Sequence, residues 1–279
     1  MIETKKASPV RQMIEANKKK KGSIDTILEK LMPKLFLVCA LVAIFTTFGI
    51  VFTLLAETVH FFDKVSIKEF LTSTQWHPTL ADPDFGILPL ISGTLLTSVI
   101  ATIVAVPIGL TSAIYLSEYA SDKTRRTIKP ILEILAGVPT IVYGFFALTF
   151  VTPLLKTIIP SLGIYNALSP GLVIGIMIIP MITSLSEDAM SSVPNSLREG
   201  AYGLGSTKLE VSLKVVLPAA MSGVIASFVL GISRAIGETM IVSVAGGANP
   251  ILSFNPTQAV QTMTAFIAQV SQGDVGFGS

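Results

Sequence analysis

Apolar and polar positions in this chain separate into long blocks instead of alternating at a strand or helix period. The first apolar block is Leu35–Leu55, "LFLVCALVAIFTTFGIVFTLL". Four more follow at about Ile87–Leu116, Ile131–Leu155, Leu168–Leu185 and Met221–Ala245. A helix needs about 20 mostly apolar residues to cross a bilayer, so each block predicts a membrane span. Gly93, Pro107 and Gly109 fall inside the second block. Such residues are tolerated in spans because neighbouring helices satisfy the freed backbone groups. The expected fold class is all-α, a polytopic transmembrane helical bundle.

Composition supports this reading. Of 279 residues, 51% are hydrophobic and 14% charged, against about 25% charged in a soluble domain. The charges are also segregated. Residues 1–34 hold nine of the twenty Lys/Arg, and the loop Ala56–Gly86 has only Lys64 and Lys68 beside five acids. Ser117–Pro130 carries Lys123, Arg125, Arg126 and Lys129; the loop after the third span has Lys156; Ser186–Ala220 has Arg198, Lys208 and Lys214. Basic residues thus alternate high, low, high, low, high. The positive-inside rule places the N-terminus, residues 1–34, and the loop 186–220 in the cytoplasm. Residues 35–279 form the membrane domain. The first span follows 34 charged and polar residues, which predicts an uncleaved helix and not a secretory signal.

After the fifth span the chain is expected outside. The tail stretch "AVQTMTAFIAQV" is too short and polar to cross, and is expected to be re-entrant or interfacial. "GDVGFGS" does not read as the end of a membrane domain, so a final sixth span is expected to be missing. The lone cysteine, Cys39, allows no intrachain disulfide. The net charge of +2 gives no reason to expect nucleic acid. The run Lys18–Lys21 suits a solvated or lipid-headgroup-facing tail.

The loop 186–220, "SEDAMSSVPNSLREGAYGLGSTKLEVSLKVVLPAA", carries the most local information. Ser196 with Glu199, and Thr207 with Glu210, have capping-box spacing. Gly205 lies between them, where a first helix needs a C-terminal glycine. Two short helices joined by a tight turn are predicted, the second with apolar Leu209, Leu213 and Val216 and an end at Pro218. Such a pair is either a packed membrane-surface connector or a knob for a groove on a soluble partner.

Within this loop, "EGAYGLGSTKLEVSLKVVLP" resembles the coupling loop of ABC importer permeases. That family's pattern is E-A-A, three residues, G, nine residues, I-x-L-P. Glu199, Gly200 and Ala201, then Gly205, then Val215, Leu217 and Pro218 keep every spacing. Gly200 stands for the usual alanine and should loosen the helix by up to about 1 kcal/mol; Val215 replaces isoleucine. "LGISRAIGETMIV", "LAGVPTIVYGFFAL", "FGILPLISGTLLTSVIA" and "AIYLSEYA" resemble the permease subunits of the phosphate uptake transporter, and "GETMIV" its PstC-type subunit.

This resemblance implies several things. The chain is a subunit of a multi-pass cell-membrane importer, and Glu199, Gly200, Ala201, Gly205, Leu217 and Pro218 contact the ATPase. The implied partners are a second related permease, a dimer of ATP-binding subunits and an extracytoplasmic phosphate-binding protein. The chain has no G-x-x-x-x-G-K-[ST] phosphate loop, so ATP is expected on the partner and no cofactor here. No nucleophile–base pair or metal-ligand spacing is seen, which predicts no enzyme activity. His60 and His77 read as surface residues. A permease for sulfate or molybdate, and an ATP-independent channel or carrier, remain as alternatives.

The segment "GISRAIGETMIV" places Arg234 and Glu238 four residues apart in an apolar span. A charge at mid-bilayer costs about 2.5–3.5 kcal/mol on insertion scales. At helical spacing the two share a face and can pair. One reading is a structural ion pair. The other is a substrate pathway, in which the guanidinium fork meets phosphate oxygens and Glu238 competes for it. Thr239, Ser233, Ser92, Thr94 and Thr97 would line a path with hydroxyls or bond back to their own helices. Gly237 is either a close-approach or a packing glycine. Tyr143 reads as a packed aromatic in preference to a gate.

Overall fold

The structure is a computed structural model, and it describes residues 23–78, 83–271 and 273. The run Lys18–Lys21 and, Gly273 apart, the "GDVGFGS" end lie outside the described residues. The chain divides into two compact units, residues 1–66 and 67–279.

Among the described residues the first unit contains a helix, α1 (Ser23–Lys64), of 42 residues with Pro33 inside it. At 1.5 Å per residue it is about 63 Å long, roughly twice the hydrocarbon core. It outruns the expected Leu35–Leu55 at both ends, because a helix once started continues through polar residues that break no hydrogen bonds. Thr46, Thr47 and Thr58 donate their hydroxyls to the carbonyls four residues back, at 2.7–2.8 Å.

The second unit starts with a short helix, α2 (Ile67–Thr72), and an antiparallel pair, β1 (Trp76–His77) with β2 (Asp84–Phe85). The main helices follow: α3 (Leu88–Tyr119), α4 (Asp122–Ala136), α5 (Thr140–Ile158) and α6 (Leu168–Ser191). Next come α7 (Asn195–Gly203), α8 (Lys208–Ala219), α9 (Met221–Ile236), α10 (Met240–Ala245) and α11 (Met263–Ser271). Among the described residues α1, α3, α5 and α6 are long and apolar enough to cross a membrane; α8 and α9 form a fifth candidate, bent by 74°.

The centre of this unit is α3 against α6. Glycines set how closely they pack. A Cβ at Gly109 would lie 2.7 Å from Ile182 Cγ2, and one at Gly171 2.8 Å from Ile100 Cγ2. Small residues let backbones approach where lipid offers no hydrophobic drive between helices. Ala101, Ala105, Val173, Ile174, Ile178 and Ile182 fill the seam, with Ala235 of α9 and Ile241 of α10 packed on it.

Three expected spans need correcting. The third was expected to run unbroken over Ile131–Leu155. Instead α4 ends at Ala136, and α5 starts after Gly137, Val138 and Pro139. Proline cannot donate within a helix and biases its predecessor away from helix. The expected loop Ser117–Pro130 is largely the first part of α4, begun by Ser121, whose Oγ accepts from Thr124 N at 3.2 Å. The fourth span runs on to Ser191, with the polar Ser186 and Glu187 buried. The fifth is interrupted at Gly237–Thr239. Tyr143 spans the α4–α5 break, its hydroxyl donating to Leu135 O at 2.8 Å.

Candidate functional site

Arg234 is in the last turn of α9, and Glu238 lies just past its end. Both were expected on one continuous helical face. Gly237, the C-terminal cap of α9, breaks that face. A Cβ there would meet only the carbonyls of its own helix, Ser233 O at 3.4 Å and Arg234 O at 4.0 Å. Gly237 is therefore a helix-ending glycine and not a close-approach one. The pair still forms across the break: Arg234 Nη1 donates to Glu238 Oε2 at 2.6 Å.

The partners differ in exposure. The Glu238 side chain is 2% exposed and that of Arg234 41%. Glu238 Oε1 also accepts from Met240 N at 3.1 Å and Ile241 N at 3.4 Å, at the start of α10. A carboxylate at a helix start satisfies donors that would otherwise be orphaned. Arg234 Nη2 approaches Met177 Sδ of α6 at 3.9 Å. The break thus holds a buried anion with several partners and a half-open cation with donors to spare.

The short helix α11 connects this break to α3. Met263 N donates to Thr94 Oγ1 at 3.2 Å, and Thr264 Oγ1 donates to Glu238 O at 2.9 Å. Thr94 Oγ1 itself donates to Leu90 O at 2.8 Å, and Ser92 Oγ to Pro89 O at 2.8 Å. Thr97 bonds back to Gly93 O at 2.9 Å. These three side chains are buried in this chain. Thr239 is partly buried, with its hydroxyl 3.4 Å from Gly237 O.

The loop between α6 and α9 folds as the two predicted helices, α7 and α8. Gly205 has φ +86°, with Gly205 N donating to Tyr202 O at 2.9 Å and Ser206 N to Ala201 O at 3.2 Å. This is the glycine-dependent Schellman ending. Thr207 and Glu210 form a complete capping box. The box expected at Ser196 and Glu199 is absent: the N-cap position is Pro194, two residues earlier, so α7 starts at Asn195 without a side-chain cap. Ser196 is thereby inside the helix. Glu199, Gly200 and Gly205 are exposed, Ala201 and Leu217 partly buried, and Pro218 exposed. A Cβ at Gly200 would meet nothing within 4 Å. Leu204, between the helices, is 89% exposed.

Two ionic clusters went unread in the sequence. Glu187 of α6, 1% exposed, pairs with Arg125 and Lys129 of α4; Lys129 Nζ also donates to Asp188 Oδ1 at 2.7 Å. Burial alone would lower the Lys129 pKa, but its bonds to Asp188 and Glu187 outweigh that and raise it. Glu118, at the end of α3, pairs with Arg198 of α7 at 2.9 Å. Both pairs join residues about sixty to eighty apart in sequence, so no local spacing marks them. Among the described residues no three His, Cys, Asp or Glu side chains gather so as to hold a metal ion.

Apolar helices long enough to span, glycine-packed seams and an exposed two-helix loop define a polytopic α-helical membrane protein of the ABC importer permease type. Residues 105–271 match the family model described as "Binding-protein-dependent transport system inner membrane component", and the chain belongs to that family. It is 37% identical over 243 residues to the probable ABC transporter permease protein YqgH of Bacillus subtilis, covering 86% of this chain and 78% of that one. It is 39% identical over 219 residues to the phosphate transport system permease protein PstC of Xylella fastidiosa, covering 71% and 67%. To the PstC of Mesorhizobium japonicum it is 36% identical over 227 residues, covering 74% and 68%. The family is one of transporter permeases and not of enzymes.

Proposed function

We propose that this chain is a permease subunit of an ATP-driven importer and forms part of the pathway for inorganic phosphate. The relatives named as phosphate permeases carry the substrate part of this reading. The exposed α7–α8 pair, with the E-x-A-x3-G spacing on its surface, supports docking of a separate ATPase through Glu199, Gly200, Ala201, Gly205, Leu217 and Pro218. The N-terminus and this loop lie in the cytoplasm by the distribution of Lys and Arg. A second related permease, a pair of ATP-binding subunits and an extracytoplasmic phosphate-binding protein complete the complex. ATP is held by the partner.

Arg234 is the proposed contact for the anion. Its side chain is 41% exposed and its guanidinium meets a single carboxylate at a helix break, which leaves other donors for phosphate oxygens. Thr239, Ser92 and Thr94 belong to the same proposed path. ATP-driven closure of the partner would switch the bundle between two facing states.

Labelled-phosphate uptake tests the reading in cells lacking their own permease. Restored uptake that ignores excess sulfate is expected. Uptake abolished by sulfate or molybdate would move the assignment to another oxyanion. Uptake that survives loss of the ATPase would make the chain a channel or carrier. Arg234→Gln is expected to leave assembly intact and stop uptake; loss of assembly instead would assign the pair a purely structural role. Glu199→Lys is expected to spare insertion and abolish co-purification of the ATPase.

A further inference from the structure

The exposed helix α7 is joined to α6 by only Ser192, Val193 and Pro194. Peptide linkage alone would let it swing about Pro194. Arg198 adds side-chain ties to its neighbours. Its Nη2 donates to Glu118 Oε1 at 2.9 Å, and its Nε lies 3.3 and 3.4 Å from the two Glu118 oxygens. Its Nη1 donates to Val193 O of the linker at 2.5 Å and its Nη2 to Met190 O in the last turn of α6 at 2.8 Å. The side chains of Arg198 and Glu118 are 13% and 4% exposed. Ser117 Oγ donates to Glu118 Oε1 at 3.0 Å.

One guanidinium therefore holds three elements together: the α7 helix it belongs to, the end of α6 and the end of α3. A second tie runs parallel to it, with Lys208 Nζ of α8 lying 4.9 Å above the Tyr119 ring of α3. Beneath them Met190, Val193, Ala113, Val211 and Val216 form one buried cluster. Glycine contacts lock α3 to α6, and α9, which carries Arg234, packs on α6 in the same way: a Cβ at Gly231 would lie 2.8 Å from Ile182 Cγ1.

We propose that Arg198 and Glu118 are positioning residues that carry displacement of α7 into α3 and α6 as one body. This rests on the reading of the chain as an ATP-driven permease. Glu199, the next residue along α7, is exposed to the partner; Arg198 faces inward and passes the movement on. The guanidinium meets a carboxylate and two carbonyls at once, and a lysine ammonium, with three donors, can still keep the charged contact to Glu118.

The test uses the assembled importer in proteoliposomes, with Cys39→Ser and spin labels on Leu95→Cys of α3 and on a single cysteine introduced into the second permease subunit. Inter-label distances are measured without nucleotide and after trapping with ATP and vanadate. The wild type is expected to shift. Glu118→Gln and Arg198→Gln are expected to lose at least half of that shift while the ATP-binding subunits co-purify in unchanged amount. Arg198→Lys, which keeps charge and reach, is expected to retain at least half. A full shift in Glu118→Gln, no shift in Arg198→Lys, or loss of the ATP-binding subunits from Glu118→Gln would overturn the proposal. A wild type that shifts but imports no phosphate would refute only the substrate assignment, and one that does not shift overturns both readings.

Discussion

Removing Glu187 and removing its two cations should have unequal effects. The Glu187 side chain is 1% exposed, while those of Arg125 and Lys129 are 30% and 27% exposed. In Glu187→Met the cations can relax into water, and the cost should stay near 1 kcal/mol. In Arg125→Met with Lys129→Met the carboxylate stays buried without its cations, keeping only Ser191 Oγ at 2.7 Å. A stranded buried charge costs about 3–5 kcal/mol. The triple variant, with Glu187→Met added, removes that charge and should recover most of the loss, because apolar replacement of a whole buried ionic group is often neutral. Thermal unfolding of purified protein in detergent reads this directly. At roughly 2–4 °C per kcal/mol, the double variant should melt at least about 6 °C below the wild type, and Glu187→Met only a few degrees below. A triple variant no more stable than the double, or a Glu187→Met as damaging as the double, would refute the argument.

The other predictions are local. Thr207→Ala removes the capping box and should cost about 1 kcal/mol, read as faster proteolysis of the α7–α8 loop. Gly205→Ala places a side chain at φ +86° and should cost about 1 kcal/mol, again localised to the loop; an effect below a few tenths would show that the turn is not held in this form. Gly93→Ala puts a Cβ 2.4 Å from Gln261 O, so α3 and the 258–262 segment must separate, at about 1–3 kcal/mol in detergent melts. The Lys129 contribution is fully present below the free-lysine pKa of 10.5 and is lost as pH rises through its higher folded value. Stability of the wild type should therefore fall more steeply than that of Lys129→Met above that pH.

The spans were legible because a bilayer demands long apolar runs, and α3 and α6 start within a residue of where the pattern puts them. The turn between α7 and α8 was legible too, since Gly205 and the Thr207–Glu210 box act over a few residues. The breaks at Gly137–Pro139 and Gly237–Thr239 were missed, since apolar character continues across both while backbone geometry does not. Pro139 and Gly237 were the available signals. Ser196 looked like a cap only because spacing does not say which residue starts a helix. Arg234 and Glu238 were found together, but for the wrong reason: their contact closes a gap between helices and does not follow one helical face. Glu187 and Glu118 read as loop charges because their partners come from distant segments.

Glu238 has a further effect at the gap between α9 and α10. Its carboxylate already occupies the first amides of α10, so that helix start has little positive field left for a passing anion. On the proposed route this chain would then meet its cargo with a single mobile fork, Arg234, and not with a cage of fixed amides. A cage retains what it binds, whereas a fork already shared with a resident carboxylate exchanges one partner for another in small steps. The broken helix would in that case favour rapid turnover over tight retention, and affinity would be left to parts of the assembly outside this chain.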